Sequence, residues 1–184
     1  MSSERWAVMI SGRGSNLAAL FEVAFQFPIS VCVTSRKNAY GVLRARRQGI
    51  PCLWFRQQDD WMGLHQELVQ RQVQRIFLLG FMRLLPPEFV DLWAGRIYNL
   101  HPSLLPKFPG KDGFLQSYQS GESMGATVHE VVAEMDAGPI VLQKSFGCAL
   151  DFADQSAAQL ALSQTEQGLV RKLFMSNFSK RECS

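Results

Sequence analysis

Two side chains near the middle of this 184-residue chain have the types and the spacing for acyl chemistry: Asn99, a neutral hydrogen-bond donor, and His101, a titratable imidazole. They stand two apart at the end of an apolar run. If residues 96–101 finish a strand, alternation turns Asn99 and His101 to one face and Leu100 to the other. An amide and an imidazole aimed at one point suit a carbonyl that becomes tetrahedral: the amide donates to the developing oxyanion and the ring moves a proton. Such a pair needs a third partner, and Asp136 is the candidate. A carboxylate beside an imidazole favours its charged form and fixes its orientation. On spacing alone, the plainer reading of Asp136 is an ordinary aspartate in the turn Asp136-Ala137-Gly138-Pro139.

Positioning these groups is the task of the surrounding elements. Pro102 cannot donate to a sheet ladder, so the strand stops there, and Pro106 and Pro109 stiffen the loop that runs to Gly110. Trp6-Ala7-Val8-Met9-Ile10 reads as a buried parallel strand, Ser11-Gly12-Arg13-Gly14-Ser15-Asn16 as a glycine-rich turn, and residues 17–27 as a helix. Strand, turn and helix in that order can cradle a phosphate on backbone N–H groups at Gly14, Ser15 and Asn16. A tight turn that binds nothing fits the segment equally well. The dinucleotide fingerprint is not met, because Leu17 stands where a third glycine belongs and the second strand, 29–34, ends without a carboxylate.

The alternation continues with a helix over 41–48, a strand over 51–55, and a helix capped by Asp59 or Asp60 and running to Val73. A buried strand over 76–80 leads into the apolar loop Phe81-Met82-Arg83-Leu84-Leu85, which suits either the wall of a pocket for a flat ring or plain core. A short helix from Pro86-Pro87 to Trp93 precedes the stretch holding Asn99 and His101. Then come a helix over 114–120, two antiparallel strands over 126–132 and 140–144, and a helix from Asp154 to about Phe178. The pattern predicts one α/β domain over residues 1–184: a doubly wound, mostly parallel Rossmann-like sheet with an antiparallel C-terminal extension.

Composition narrows the partners. Hydrophobic residues make up 47% of the chain and charged residues 19%, an ordinary globular balance. The net charge of +3 is scattered along the chain, which gives no support for a nucleic-acid partner. Cys32, Cys52, Cys148 and Cys183 lie far apart without metal-ligand spacing, so free thiols and no metal are expected. The short apolar run after Arg5 is not a signal segment and no stretch has the length of a membrane span, so the expected location is the cytoplasm. Oligomeric state is not legible.

Four segments together carry a resemblance: Asn99-Leu100-His101-Pro102-Ser103-Leu104-Leu105-Pro106, Ile10-Ser11-Gly12-Arg13-Gly14-Ser15-Asn16-Leu17, Gly80-Phe81-Met82-Arg83-Leu84-Leu85 and Met135-Asp136-Ala137-Gly138-Pro139. In this content and order the chain resembles the folate-dependent formyltransferases over residues 6–145, and within them the branch that formylates glycinamide ribonucleotide in purine synthesis. The resemblance implies formyl transfer from 10-formyltetrahydrofolate, as co-substrate, to the amine of that ribonucleotide. By the same resemblance Asn99, His101 and Asp136 are catalytic, with Asp136 raising the His101 pKa so that a protonated ring helps hold the oxyanion. Gly14, Ser15 and Asn16 match the family's phosphate loop, Pro102 and Glu166 its substrate contacts, and Met82, Arg83, Leu84 and Leu85 its pterin loop.

Three positions depart from the family. Lys111-Asp112-Gly113-Phe114 lacks an expected histidine, Trp61 stands where a folate-contacting arginine is usual, and Gln167 follows Glu166 in place of histidine. Formyl transfer to another amine, such as an amino sugar nucleotide, and hydrolysis of the formyl folate are the alternative activities. Methionyl-tRNA as acceptor would require a further basic domain, and a binding protein without catalysis would have no use for the three polar residues.

Overall fold

The computed structural model describes residues 4–23, 28–56 and 60–179, with side chains as far as Met175. In chain order the elements are β1 (Trp6–Ile10), α1 (Ser15–Phe21), β2 (Ile29–Thr34), α2 (Tyr40–Arg47), β3 (Cys52–Trp54), α3 (Trp61–Gln70), β4 (Arg75–Leu78), α4 (Pro87–Leu92), β5 (Ile97–His101), α5 (Gly113–Ser120), β6 (Met124–Glu130), β7 (Ile140–Gly147) and α6 (Gln155–Ser179). The seven strands form one sheet in the order β3-β2-β1-β4-β5-β6-β7. β1 through β5 pair in parallel, and β6 and β7 continue the sheet antiparallel. This is the doubly wound sheet with an antiparallel extension that the alternation of elements predicts.

Every residue of β1 is buried, which is why its sequence is apolar without a break. Trp6, Val8 and Ile10 join Leu17 and Leu20 of α1, Phe114 of α5 and Leu162, Leu169 and Leu173 of α6 on one face of the sheet. Ala7 and Met9 join Leu64 and Leu68 of α3 with Phe89 and Val90 of α4 on the other. Helices therefore cover both faces, as a parallel sheet requires. Among the described residues no helix is long and apolar enough to cross a membrane.

Several boundaries differ from the expectation. α1 closes at Phe21, with Glu22 and Val23 in a turn, and residues 24–27 lie outside the described region, as do Asp59 and Cys183. Asp60 caps α3, its carboxylate accepting from the Met62 N–H at 2.8 Å. β6 begins two residues earlier than its alternation suggests, because Met124 and Gly125 pair with Gly147 and Ser145. Its expected last residues, Val131 and Val132, leave the strand and turn to a cleft.

Candidate active site

The strand order reverses between β1 and β4, and crevices form beside such reversals at the carboxyl ends of the strands. A cleft of ≈ 780 Å³ opens there. The loop after β1 supplies Gly14, the first turn of α1 supplies Ser15 and Asn16, and the loop after β4 supplies Met82, Arg83, Leu84 and Leu85. The end of β5 brings Asn99, His101 and Pro102, the turn before β7 brings Asp136, and α6 brings Glu166. All twelve residues singled out in the sequence thus line one cavity.

The glycine turn is held in shape by close backbone approach. Gly14 has φ +70°, and a Cβ there would stand 2.7 Å from the Gly41 Cα at the start of α2. The Gly41 N–H donates to the Gly12 carbonyl at 3.2 Å. Asn16 donates its amide to Glu166 Oε2 at 3.0 Å, joining α1 to α6 at the cleft. Burial pushes the Glu166 carboxyl above its ordinary range against the opposing effect of Asn16. Ser11, buried behind the turn, accepts from the Met82 N–H at 2.8 Å and shares a hydrogen with Ser35. The two loops that flank the cleft are therefore tied to each other.

At the chemical end, β5 alternates as its sequence suggests: Tyr98 and Leu100 enter one core, while Asn99 and His101 face the cleft. His101 is 4% exposed and sits between two acceptors. Nε2 lies 2.9 Å from the Phe108 carbonyl, and Nδ1 lies 3.4 Å from Asp136 Oδ2. A carbonyl only accepts, so Nε2 carries a hydrogen and Nδ1 is the atom that gains or loses a proton. The Phe108 carbonyl is itself fixed by the Ser103 hydroxyl, which reaches both the Lys107 and the Phe108 oxygens at 2.8 and 3.1 Å. Asp136, at φ +53°, accepts from the Gly110 N–H at 2.6 Å.

One residue escaped the sequence reading. In the antiparallel pairing of β5 with β6, His129 stands directly opposite Asn99. His129 is 1% exposed, and its Nδ1 donates to the Glu130 carbonyl at 2.9 Å. That bond leaves Nε2 as an acceptor, which takes one Asn99 amide hydrogen at 3.1 Å and lies 3.4 Å from Asp136 Oδ1. The second amide hydrogen of Asn99 stays free for a ligand in the cleft. Alternation within 124–130 turns His129 to the face of Thr127, but only knowledge of the β5–β6 register ties it to Asn99.

The groups around His101 pull its charge in two directions. Burial lowers the His101 pKa below its ordinary value, and the Phe108 carbonyl and Asp136 only partly oppose it. Asp136 thus acts in the expected direction, raising the His101 pKa, while desolvation acts against it. Burial pushes the Asp136 carboxyl up, and the hydrogen bond it accepts from the Gly110 N–H helps bring it below the usual carboxylate range. Asp136 is therefore a fixed negative charge beside a ring that is poised to take a proton.

The three departures have separate places. Lys111 and Asp112 line the cleft where the family histidine is expected. Trp61 packs between Phe55 and Phe89, with ring centroids 4.6 and 4.9 Å away, and belongs to the core. Gln167 donates to Ser163 at 3.2 Å within α6.

Sheet and switch-point cleft are those of an α/β protein, and the cleft brings together an amide, an imidazole and a carboxylate, the group types that acyl transfer uses. A family model described as formyl transferase matches residues 4–173, and the chain belongs to the formyl transferase family. The phosphoribosylglycinamide formyltransferase of Escherichia coli is 35% identical over 184 residues, covering 94% of this chain and 85% of that protein. A trifunctional purine biosynthetic protein of Chironomus tentans is 36% identical over 154 residues, and the match spans 77% of this chain and only 11% of that much longer protein. Among solved structures, glycinamide ribonucleotide transformylase 1 of Geobacillus kaustophilus superposes with a TM-score of 0.88 at 33% identity, covering 94% of this chain and 97% of that one.

Proposed function

We propose that this protein transfers the formyl group of 10-formyltetrahydrofolate to the amine of glycinamide ribonucleotide, a step of purine biosynthesis. The observation that carries the proposal is a cleft that Asn99, His101 and Asp136 line together with the glycine turn and the Met82–Leu85 loop. Family membership and relatives bearing this activity in their names support it.

On this reading Gly14, Ser15 and Asn16 receive the phosphate, Pro102 and Glu166 contact the ribonucleotide, and Met82, Arg83, Leu84 and Leu85 receive the pterin. The amine attacks the formyl carbon, and negative charge grows on the formyl oxygen. Asn99 donates its free amide hydrogen to that oxygen, while its other hydrogen, held by His129, fixes the amide plane. His101 takes the proton lost by the amine at Nδ1. The resulting imidazolium is paired with Asp136 and stabilises the oxyanion, and its proton then passes to the departing folate nitrogen. No metal enters this scheme. The reading treats residues 1–184 as one domain working in the cytoplasm on two small molecules, with no nucleic-acid partner.

The test is purified protein with 10-formyltetrahydrofolate, with and without glycinamide ribonucleotide, following tetrahydrofolate formation. Turnover that depends on the ribonucleotide and falls at least about 10²-fold in His101→Ala is expected. Turnover without an acceptor identifies a hydrolase. Activity only with an amino sugar nucleotide moves the reading to that acceptor.

A further inference from the structure

We propose that Gly113 is a positioning residue for His101: its missing side chain is the space in which the imidazole meets the Phe108 carbonyl. The inference rests on the proposed formyl transfer for its kinetic consequence, though not for its geometry. Gly113 is the first residue of α5 and is buried. It is absent from the chain's positive-φ glycines, so its backbone is open to any L residue. Helices disfavour glycine, and no turn requires one here. What the position requires is room.

A Cβ on Gly113 would stand 2.9 Å from His101 Nε2, 3.4 Å from Cε1 and 2.9 Å from the Phe108 oxygen. It would press at once on the donor and the acceptor of a hydrogen bond that is itself 2.9 Å long. The carbonyl has little freedom to withdraw. Phe108 sits at φ +56°, its oxygen is held by Ser103, and Asp112, immediately before Gly113, is also left-handed at φ +64°. Gly110 is anchored to Asp136. The imidazole is the part that must move.

The Nε2 bond decides which nitrogen exchanges protons. With Nε2–H on Phe108, Nδ1 faces Asp136. A ring displaced from Phe108 loses that selection and a group that supports its charged form. The titratable groups around the ring are Asp136, His129 at a centroid distance of 6.4 Å, and, at the cleft, Lys111 and Asp112. Gly113 does not itself line the cleft, so substrate contacts should survive its replacement.

The experiment compares wild type, Gly113→Ala and, as a control, Gly168→Ala, a helical glycine with open space around it. Imidazole ¹⁵N NMR reads the tautomer and titration of His101, and steady-state kinetics read kcat and KM. Wild type should show the Nε2–H tautomer; the Nδ1–H tautomer in wild type overturns the proposal whatever the variants do. Gly113→Ala should lose about 10²-fold in kcat, as misplacement of about 1 Å can cause. Both KM values should stay within about threefold, and the His101 titration should move to lower pH. Gly168→Ala should match wild type. An unchanged tautomer and titration in Gly113→Ala, whether kcat falls or not, overturns the proposal. If the ribonucleotide proves not to be the acceptor, the functional reading fails while the tautomer measurement still decides the role of Gly113.

Discussion

Replacing Asp136 by Asn removes the charge that faces His101 while keeping the shape that holds the loop. The asparagine oxygen can accept from the Gly110 N–H, so the turn keeps its anchor. At 3.4 Å a carboxylate and an imidazolium attract by about 5 kcal/mol at an effective dielectric of about 20. Spreading each charge over two atoms and admitting water at the cleft reduces this by about half, and its loss lowers the His101 pKa. The same loss falls on the transition state, where the imidazolium forms, and costs about 10²-fold in kcat/KM on the plateau. The sign is fixed by the role of the ring: a base must be neutral, so activity falls as pH drops through the His101 pKa, and in the variant that fall comes at lower pH. The substrate amine also titrates, but the ratio of wild type to variant cancels it. Measured from pH 8 to pH 5, that ratio should be about 10²-fold at the top and should shrink below the wild-type His101 pKa. A ratio that stays flat across the range refutes the coupling between Asp136 and the ring.

Asn99→Ala should lower kcat by about 10²- to 10³-fold with little change in either KM, read by steady-state kinetics, since the amide acts on the oxyanion more than on the ground state. His129→Ala empties a buried position and strips partners from Asn99 and the Glu130 carbonyl; urea unfolding should show a loss of about 2–4 kcal/mol, and kcat should fall with it. Stability should decline in acid in two windows. The His101 pKa is lower in the folded chain than its ordinary 6.5, so protons favour unfolding as pH falls through 6.5. Asp136 lies below its ordinary 3.8, so its contribution is present above that value and is lost as pH falls through the folded pKa. Urea midpoints at pH 7.5, 5.5 and 3.5 should step down twice, and His101→Gln should flatten the first step.

The apolar strands were the most legible part of the chain, because Trp6 to Ile10 is buried on both faces and leaves no ambiguity of period. β7 was harder to bound: as an edge strand it is exposed along much of its length, and Ser145, Phe146 and Gly147 carry no alternation that marks them as paired. Asn99 and His101 could be read as a pair because local alternation alone puts them together. Asp136 lies far along the chain: its chemistry made it a candidate, spacing favoured a plain turn aspartate, and the family resemblance moved it forward. His129 could not be reached in that way, since its meaning is a cross-strand register. The desolvation of His101 was also hidden, because it depends on how completely α5 and the 103–110 loop close over the ring, which the sequence of β5 does not contain.

The antiparallel pairing of β6 with β5 has a consequence for how activity is lost under mild stress. Asn99 and His101 ride on a strand embedded in the parallel core, whereas His129 and Asp136 ride on the outer hairpin of β6, the turn and β7, whose far edge pairs with nothing among the described residues. β6 is buried in the core against α6, whereas β7 is exposed along much of its length, so partial opening starts at β7 and the turn before it. A chain that releases them keeps its glycine turn, its Met82–Leu85 loop and most of its helices, yet loses the base's counter-charge. Inactivation and amide exchange in residues 136–147 should therefore share one free energy, smaller than that of global unfolding.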